Sequence, residues 1–281
     1  QSGILYNATM IRQMITHDDI TQLPKIRFSG FSNIRQMPGA ELIEALADSY
    51  HHVGLDDTIV VTRSNKRANI FNQGIRNMVL DREEELSQGD ILMIVKNNYY
   101  WMEEERKKIK EKDNQVPSND IPAFLANGDR AKVLKVRRRI DLYGFRFATL
   151  LLQFPDYGNY ELEATVLLDT LTSEAPALTH EQQEQLFHQI EEDYQDVPLK
   201  ADRMKAIRQD QFYNALQVKF AYAVTCHKAQ GGQWAHVYVD QGYMTDDMLT
   251  PDYIHWLYTA FTRATEMLYL VNWPETQIET S

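Results

Sequence analysis

Ala221-Tyr222-Ala223-Val224-Thr225-Cys226-His227-Lys228-Ala229-Gln230-Gly231-Gly232-Gln233-Trp234 is the stretch on which the reading of the fold turns. A β-prone apolar run, residues 218–224, enters a polar turn that carries Thr225, His227, Lys228 and Gln230. Gly231 and Gly232 come next, and then a second strand-like run, His236-Val237-Tyr238-Val239-Asp240. Glycines after a strand let the backbone come close to a ligand, because no Cβ blocks the approach. Further on, Trp256-Leu257-Tyr258-Thr259-Ala260-Phe261-Thr262-Arg263-Ala264-Thr265 has a helical pattern with one arginine among small and aromatic residues. Residues 267–272 read as a final strand. Strand, polar turn, strand, helix and strand in this order is the texture of an α/β layer.

In order and spacing, the two blocks closely resemble motifs V and VI of superfamily 1 DNA helicases of the RecD-like branch. Those motifs read roughly Tyr-Ala-x-Thr-x-His-Lys-x-Gln-Gly and Tyr-Thr-Ala-x-Thr-Arg-Ala. The matching residues are Tyr222, Ala223, Thr225, His227, Lys228, Gln230 and Gly231, then Tyr258, Thr259, Ala260, Thr262, Arg263 and Ala264. The resemblance implies that Arg263 is an arginine finger, a fixed charge able to fork two hydrogen bonds onto phosphate oxygens. It implies that Gln230, Gly231, Gly232 and Gln233 line the ATP site, with Gln233 where many relatives have a glutamate that meets the ribose. Thr225, His227 and Lys228 would then contact the phosphodiester backbone of single-stranded DNA. Tyr258 and Thr259 would shape the site around Arg263.

Upstream, a helix is expected after Pro38-Gly39, with Leu42, Ile43, Leu46, Ala47 and Tyr50 at helical spacing. Residues 57–62 form a short continuous apolar strand of the kind buried in a parallel sheet. Ser64 or Asn65 caps the next helix, 66–80, whose Ala68, Ile70, Phe71, Ile75 and Met78 are expected to face a core. This strand, turn and helix resemble motif IV of the same helicases, which would place Thr62, Arg63, Asn65 and Asn72 near the nucleic-acid groove or the nucleotide.

From Gly89 the texture changes. Short β-like stretches at 91–96, 131–138, 145–154 and 160–168, divided by Gly, Pro and Asn turns, predict a small antiparallel barrel. Its Gly89-Asp90, Asn97-Asn98-Tyr99 and Asn127-Gly128-Asp129 resemble the Src-homology-type β-barrel that RecD-like helicases insert in their second motor domain, and imply strand contacts by Asn97, Asn98 and Tyr99. Residues 103–120 are charged and read as an exposed excursion or a short helix. Residues 172–210 read as helical, with a capping box at Thr179-His180-Glu181-Gln182 and a stripe of Leu186, Ile190 and Tyr194. The expected architecture is α/β: a RecA-like (P-loop NTPase-type) second motor domain, a parallel sheet with flanking helices. It would comprise 1–85 and 210–281, interrupted by the barrel insert, 86–171, and a helical connection, 172–209.

Composition sets limits on this reading. With 281 residues, 43% hydrophobic and 25% charged, the chain has the makeup of a globular protein with room for two cores. No apolar run approaches the ~18 residues a membrane span needs. The opening Gln1-Ser2-Gly3-Ile4-Leu5-Tyr6 has no basic stretch leading into an apolar core, so no secretory signal is expected. One cysteine, Cys226, excludes an internal disulfide and fits a reducing cytoplasmic compartment. A net charge of −11 argues against coating nucleic acid through bulk charge, but not against contacts confined to a groove. The basic residues are clustered, with Arg130, Lys132, Lys135, Arg137, Arg138 and Arg139 in one group and 106–112 in another. His51-His52 suits a helix terminus, and no metal site or nuclease constellation of carboxylates with lysine is expected.

A helicase motor closes two parts on ATP: a P-loop that grips the phosphates and Mg²⁺, and an arginine brought to the γ-phosphate. No Gly-Lys dipeptide occurs in this chain, so the P-loop pattern is missing, and no Asp-Glu dipeptide occurs either. The expectation is a C-terminal motor half that supplies Arg263 and DNA contacts and is inactive alone. ATP and Mg²⁺ would be held mainly by an N-terminal RecA-like domain of the same protein, with recombination or repair subunits as further partners. Two rival readings are a non-catalytic nucleic-acid-binding module, and the helicase subunit of a multi-subunit exonuclease complex.

Overall fold

The computed structural model describes residues 2–112 and 121–280. In chain order the elements begin α1 (Gly3–Thr16), β1 (Ile34–Met37), α2 (Leu42–His52), β2 (Thr58–Thr62), α3 (Asn65–Gly74), β3 (Ile91–Ile94) and α4 (Tyr100–Lys112). Next come β4 (Arg130–Leu142), β5 (Phe145–Phe154), β6 (Tyr160–Leu167), α5 (His180–Asp193), α6 (Lys200–Arg208) and β7 (Leu216–Phe220). The chain ends with β8 (Ala223–Thr225), α7 (Cys226–Ala229), β9 (Trp234–Val239), α8 (Pro251–Phe261) and β10 (Ala264–Val271). Two compact units result, Gln1–Glu83 with Tyr222–Ser281, and Glu84–Ala221.

The first unit is built on a five-stranded sheet of order β1-β10-β9-β2-β8. Every pairing in it is parallel. Ile59, Val60 and Val61 are buried on both faces of β2, which is why that strand reads as an unbroken apolar run rather than an alternating one. The edge strand β1, with only its end residues Ile34 and Met37 buried, is too short and polar to stand out in the sequence.

Helix α3 starts at Ser64, whose side chain accepts from Arg67 N. Its buried face is not the expected apolar stripe. Ala68, Asn72, Ile75 and Arg76 face inward, whereas Ile70 and Met78 are 55% and 66% exposed. Two polar residues occupy positions that hydropathy assigns to the surface. A turn of π-helix, Ile75–Val79, then adds a residue to the turn and rotates the chain beyond it.

The arginine of the second block also departs from expectation. Helix α8 ends at Phe261, so Arg263 stands just beyond it, in the turn into β10. The Thr262 hydroxyl donates back to the carbonyls of Tyr258 and Thr259, an alternative to continuing the helix. The Arg263 carbonyl then accepts from Trp234 N–H at 2.9 Å, which draws the chain into the sheet.

The second unit is a closed barrel, β3-β4-β5-β6-β7. The strand β7 closes it, antiparallel to β3 and parallel to β6. The expected single strand 218–224 is therefore two: it belongs to the barrel up to Phe220 and to the sheet from Ala223. Residues 210–221 lie in the barrel unit, because a strand buried on both faces looks the same in either setting. The long strand β4 bends through irregularities at Val133/Lys135 and Val136/Arg138. Within its basic cluster Arg137 pairs with Glu163 and Arg139 with Glu85, which also pairs with Arg146 of β5. Of the charged stretch 103–120, α4 covers the first part; 113–120 lie outside the described residues.

Helices α5 and α6 pack on this barrel, where Leu186, Ile190 and Ile207 share a core with Phe145, Phe147 and Leu167. Thr179 and Gln182 form a reciprocal capping box at the start of α5. Thr179→Ala is expected to lower the unfolding free energy of this unit by about 1 kcal/mol. Urea titration followed by far-ultraviolet dichroism checks it, and an unchanged midpoint would show that the cap contributes nothing here.

Candidate functional site

Parallel pairing of β2 with β8 puts Thr62 beside Thr225. The residues just past each strand therefore emerge together at the carboxyl edge of the sheet, where open α/β sheets place ligands. Thr62 itself is fully buried, and its hydroxyl donates to the carbonyls of Ser64 and Val224 at 3.0 and 3.3 Å. It ties the strand ends together and presents nothing to solvent. Asn72 is buried too, accepting from Ala223 N–H at 2.7 Å and donating to Ala223 C=O at 2.9 Å. Asn65 is half-buried in the first turn of α3.

What does face outward at this edge is Arg63, with the turn after Thr225. The Arg63 guanidinium lies over the rings of Tyr253 and Trp256, 5.3 and 5.7 Å from their centroids, and donates to Met244 Sδ at 3.3 Å. Arg67, a turn further along α3, is spent on a forked pair with the buried Asp240 at 3.0 and 2.9 Å. That carboxylate raises the guanidinium pKa further. His227 is exposed, Thr225 and Lys228 are half-buried, and burial pulls the Lys228 ammonium below its usual pKa. Between them Cys226 is buried, and its thiol donates to Trp256 C=O at 3.6 Å. Burial pushes that thiol up to about 11, against the opposing charge of Arg263. It stays protonated and unreactive at neutral pH.

From the carboxyl edge, α7 carries the chain back toward the amino end of β9. Gln230 and Gln233 are exposed there. Gly231 has φ +85°, a left-handed backbone that favours glycine, with nothing within 4 Å of a built Cβ. Gly232 is glycine for a different reason: a Cβ would meet the Trp234 ring at 2.5 Å. Ala264 pairs with Trp234, so Arg263 sits beside these glycines at the amino edge of β9 and β10.

Arg263 is held firmly. Its Nε donates to Thr259 C=O at 3.0 Å, Nη1 to Gly232 C=O at 2.8 Å and Nη2 to Thr262 Oγ1 at 3.1 Å. Of the five N–H groups on a guanidinium, one on each terminal nitrogen is left over. A half-buried guanidinium with two N–H groups to spare, beside an open glycine turn, fits a phosphate.

In the barrel unit the three candidates divide. Asn98 is used internally: it donates to Asn214 C=O at 2.9 Å and accepts from Trp101 N–H at 3.2 Å. Asn97 accepts from Asn127 N–H at 2.7 Å, tying two turns together. Tyr99 is exposed and stacks on Phe124, with centroids 4.8 Å apart; Asn97 is exposed as well, whereas Asn98 is half-buried.

Sequence reasoning did not single out Tyr243, Met244, Tyr253 or Trp256. Tyr253 and Trp256 lie on one face of α8, but only the folded chain brings Arg63 onto their rings.

Residues 220–271 match the protein-family model of the UvrD-like helicase C-terminal domain. No curated protein matches the chain. Among solved structures, it is similar to the Pif1 helicase from Bacteroides in complex with ADP-AlF3 and ssDNA, at 11% identity and TM-score 0.42 over 100% of this chain and 52% of that one. It is also similar to the Pif1 helicase from Candida albicans, at 14% identity and TM-score 0.36 over 99% of this chain and 55% of that one. The chain thus spans about half the length of these helicases.

Proposed function

We propose that this chain is the second, RecA-like motor domain of a superfamily 1, RecD-like, ATP-dependent DNA helicase that moves along single-stranded DNA. The P-loop and the Mg²⁺ site belong to another domain of the same protein. One observation carries the reading. Within the segment that matches the UvrD-like helicase C-terminal domain, Thr225 to Lys228 lies at one edge of the sheet and Gly232 with Arg263 at the other. Only Ala229, Gln230 and Gly231 join them in the chain.

At the carboxyl edge, Thr225, His227 and Lys228 contact the phosphodiester backbone, and Arg63 adds an exposed cation. At the amino edge, Gln230, Gly231, Gly232 and Gln233 border the nucleotide, and Arg263 turns its two spare N–H groups to the γ-phosphate. ATP, when bound, supplies the phosphoryl chemistry; this chain positions charge against it. Tyr99 and Asn97 are the barrel's contribution to strand contact.

Fluorescence anisotropy of this chain with labelled single-stranded oligonucleotides, in rising salt, tests the DNA half of the reading. The logarithm of affinity is expected to fall linearly with log salt, with a slope of about 0.7 per phosphate neutralised. Lys228→Ala is expected to weaken binding to all sequences alike and reduce that slope by about 0.7. Absence of binding at low salt would overturn the reading.

A further inference from the structure

The motor reading makes no use of the basic strand β4, half of which is an open edge. On one side β4 pairs with β5 along its length. On the other, β3 reaches only to Lys132, and Val133 then bonds to Gly89 and Asp90. From Leu134 to Leu142 no strand among the described residues pairs on that side.

The hairpin determines which backbone groups face outward there. Tyr143 and Gly144, both at positive φ, form the two-residue turn from β4 to β5. Opposite Asp141 stands Arg146, whose N–H donates to the Asp169 carboxylate and whose C=O accepts from Leu168 N–H, both at 2.8 Å. Leu168 lies just past β6, so the backbone groups of Arg146 point away from β4. Those of Asp141 therefore point away from β5. So do those of Arg139, two residues back in unbroken register. Both residues are exposed, and their N–H and C=O groups have no hydrogen-bond partner among the described residues.

We propose that this free edge of β4 binds an extended, acidic peptide segment of a partner protein, which adds to the barrel as a further strand. An unpaired edge is a template for a strand, and its main-chain groups supply the affinity. Charge then selects the strand. Lys135, Arg137, Arg138 and Arg139 crowd along this half, in a chain of net charge −11. Lys135 and Arg138 have no ion-pair partner among the described residues, and Arg137 and Arg139 are held only in partly exposed pairs with Glu163 and Glu85. Cations on an edge, together with the irregularities at Val133/Lys135 and Val136/Arg138, hinder pairing with neutral or basic strands. The same cations attract an acidic one. Charge alone would suit a nucleic acid as well, but the rest of the edge does not. A phosphodiester backbone has no donors, so the outward C=O groups would stay unmet. Glu85, Asp141 and Glu163 stand among the cations and repel a continuous polyanion, whereas a peptide with glutamate at every second residue leaves gaps between its charges.

The test uses this chain and a short fluorescent peptide of alternating glutamate and valine. Anisotropy is expected to show saturable binding, and hydrogen exchange to slow at the Arg139 and Asp141 amides when the peptide is bound. Methylating every amide nitrogen of the peptide keeps its charge but forbids strand pairing, and should weaken binding by roughly tenfold or more. Lys135→Glu combined with Arg138→Glu should weaken it by a similar factor. Asp141→Pro should weaken it too, although it removes a repelling carboxylate, because it also removes an outward N–H at a position where an edge strand tolerates proline. The comparison of the two peptides is made on the wild type, so it holds whether or not a variant folds. Binding that is absent, or that ignores the methylation, the charge reversal or the proline, overturns the inference. So does a single-stranded oligonucleotide that displaces the peptide and itself slows exchange at the two amides, which would assign the edge to nucleic acid. Protection of both amides in the protein alone as its concentration rises would assign the edge to a second copy and overturn it as well.

Discussion

Arg263→Ala, introduced into a protein that joins this chain to a P-loop domain, is expected to slow DNA-stimulated ATP turnover by roughly a thousandfold or more. Affinity for single-stranded DNA should survive. The size of the effect comes from where charge develops: a fixed cation aimed at the transferring phosphoryl group is worth far more in the transition state than in the ground state. The geometry also dictates the controls. Arg263 holds the carbonyls of Gly232 and Thr259, so its removal also loosens the glycine turn. A purely structural strut would show its loss as a lower melting temperature together with weaker DNA binding. Arg263→Lys keeps a charge but cannot fork onto phosphate while still holding Gly232, so it should lose most of the turnover too. ATPase unchanged in the alanine variant would remove Arg263 from the γ-phosphate site. Loss of DNA binding in parallel with ATPase would make it a strut.

The sequence made much of this arrangement legible, for a physical reason. Strands such as β2, β5 and β9 are dense in β-branched and aromatic residues, and burial forces that composition on them. The glycine end of the Thr225–Gly231 turn was legible because the left-handed backbone at Gly231 favours that residue type. The features that stayed hidden depend on tertiary partners. The apolar run 218–224 belongs half to a barrel and half to a sheet, and nothing in its hydropathy marks the division at Ala221-Tyr222. Ile70 and Met78 have core hydropathy but face solvent, because Asn72 and Arg76 hold the inward positions. Thr62 fits the motif pattern, yet the sheet buries its hydroxyl between two carbonyls. Arg63 gains its setting only when α8, far along the chain, brings Tyr253 and Trp256 beneath it.

Asn72→Ala is expected to destabilise the first unit by about 2–4 kcal/mol, a large effect for one residue outside any apolar cluster. The strand β8 lies at the edge of the sheet, paired on one side with β2. On its open side Ala223 has an N–H and a C=O that no strand meets. The Asn72 amide satisfies both, at 2.7 and 2.9 Å, so one side chain stands in for a peptide unit of the missing neighbour. Both groups are buried, and alanine would leave each without a partner, at about 1–3 kcal/mol apiece before relaxation. Asn72→Leu, which keeps the bulk, should cost about as much; Asn72→Asp should cost more, because a carboxylate would then face the Ala223 carbonyl. Urea unfolding measures the loss, and hydrogen exchange localises it: the Ala223 amide should lose protection first. The consequence reaches the site, because Ala223 lies two residues before Thr225. The variant should also bind single-stranded DNA more weakly at temperatures where it remains folded. A change in unfolding free energy below about 0.5 kcal/mol would mean that the edge strand does not depend on this amide.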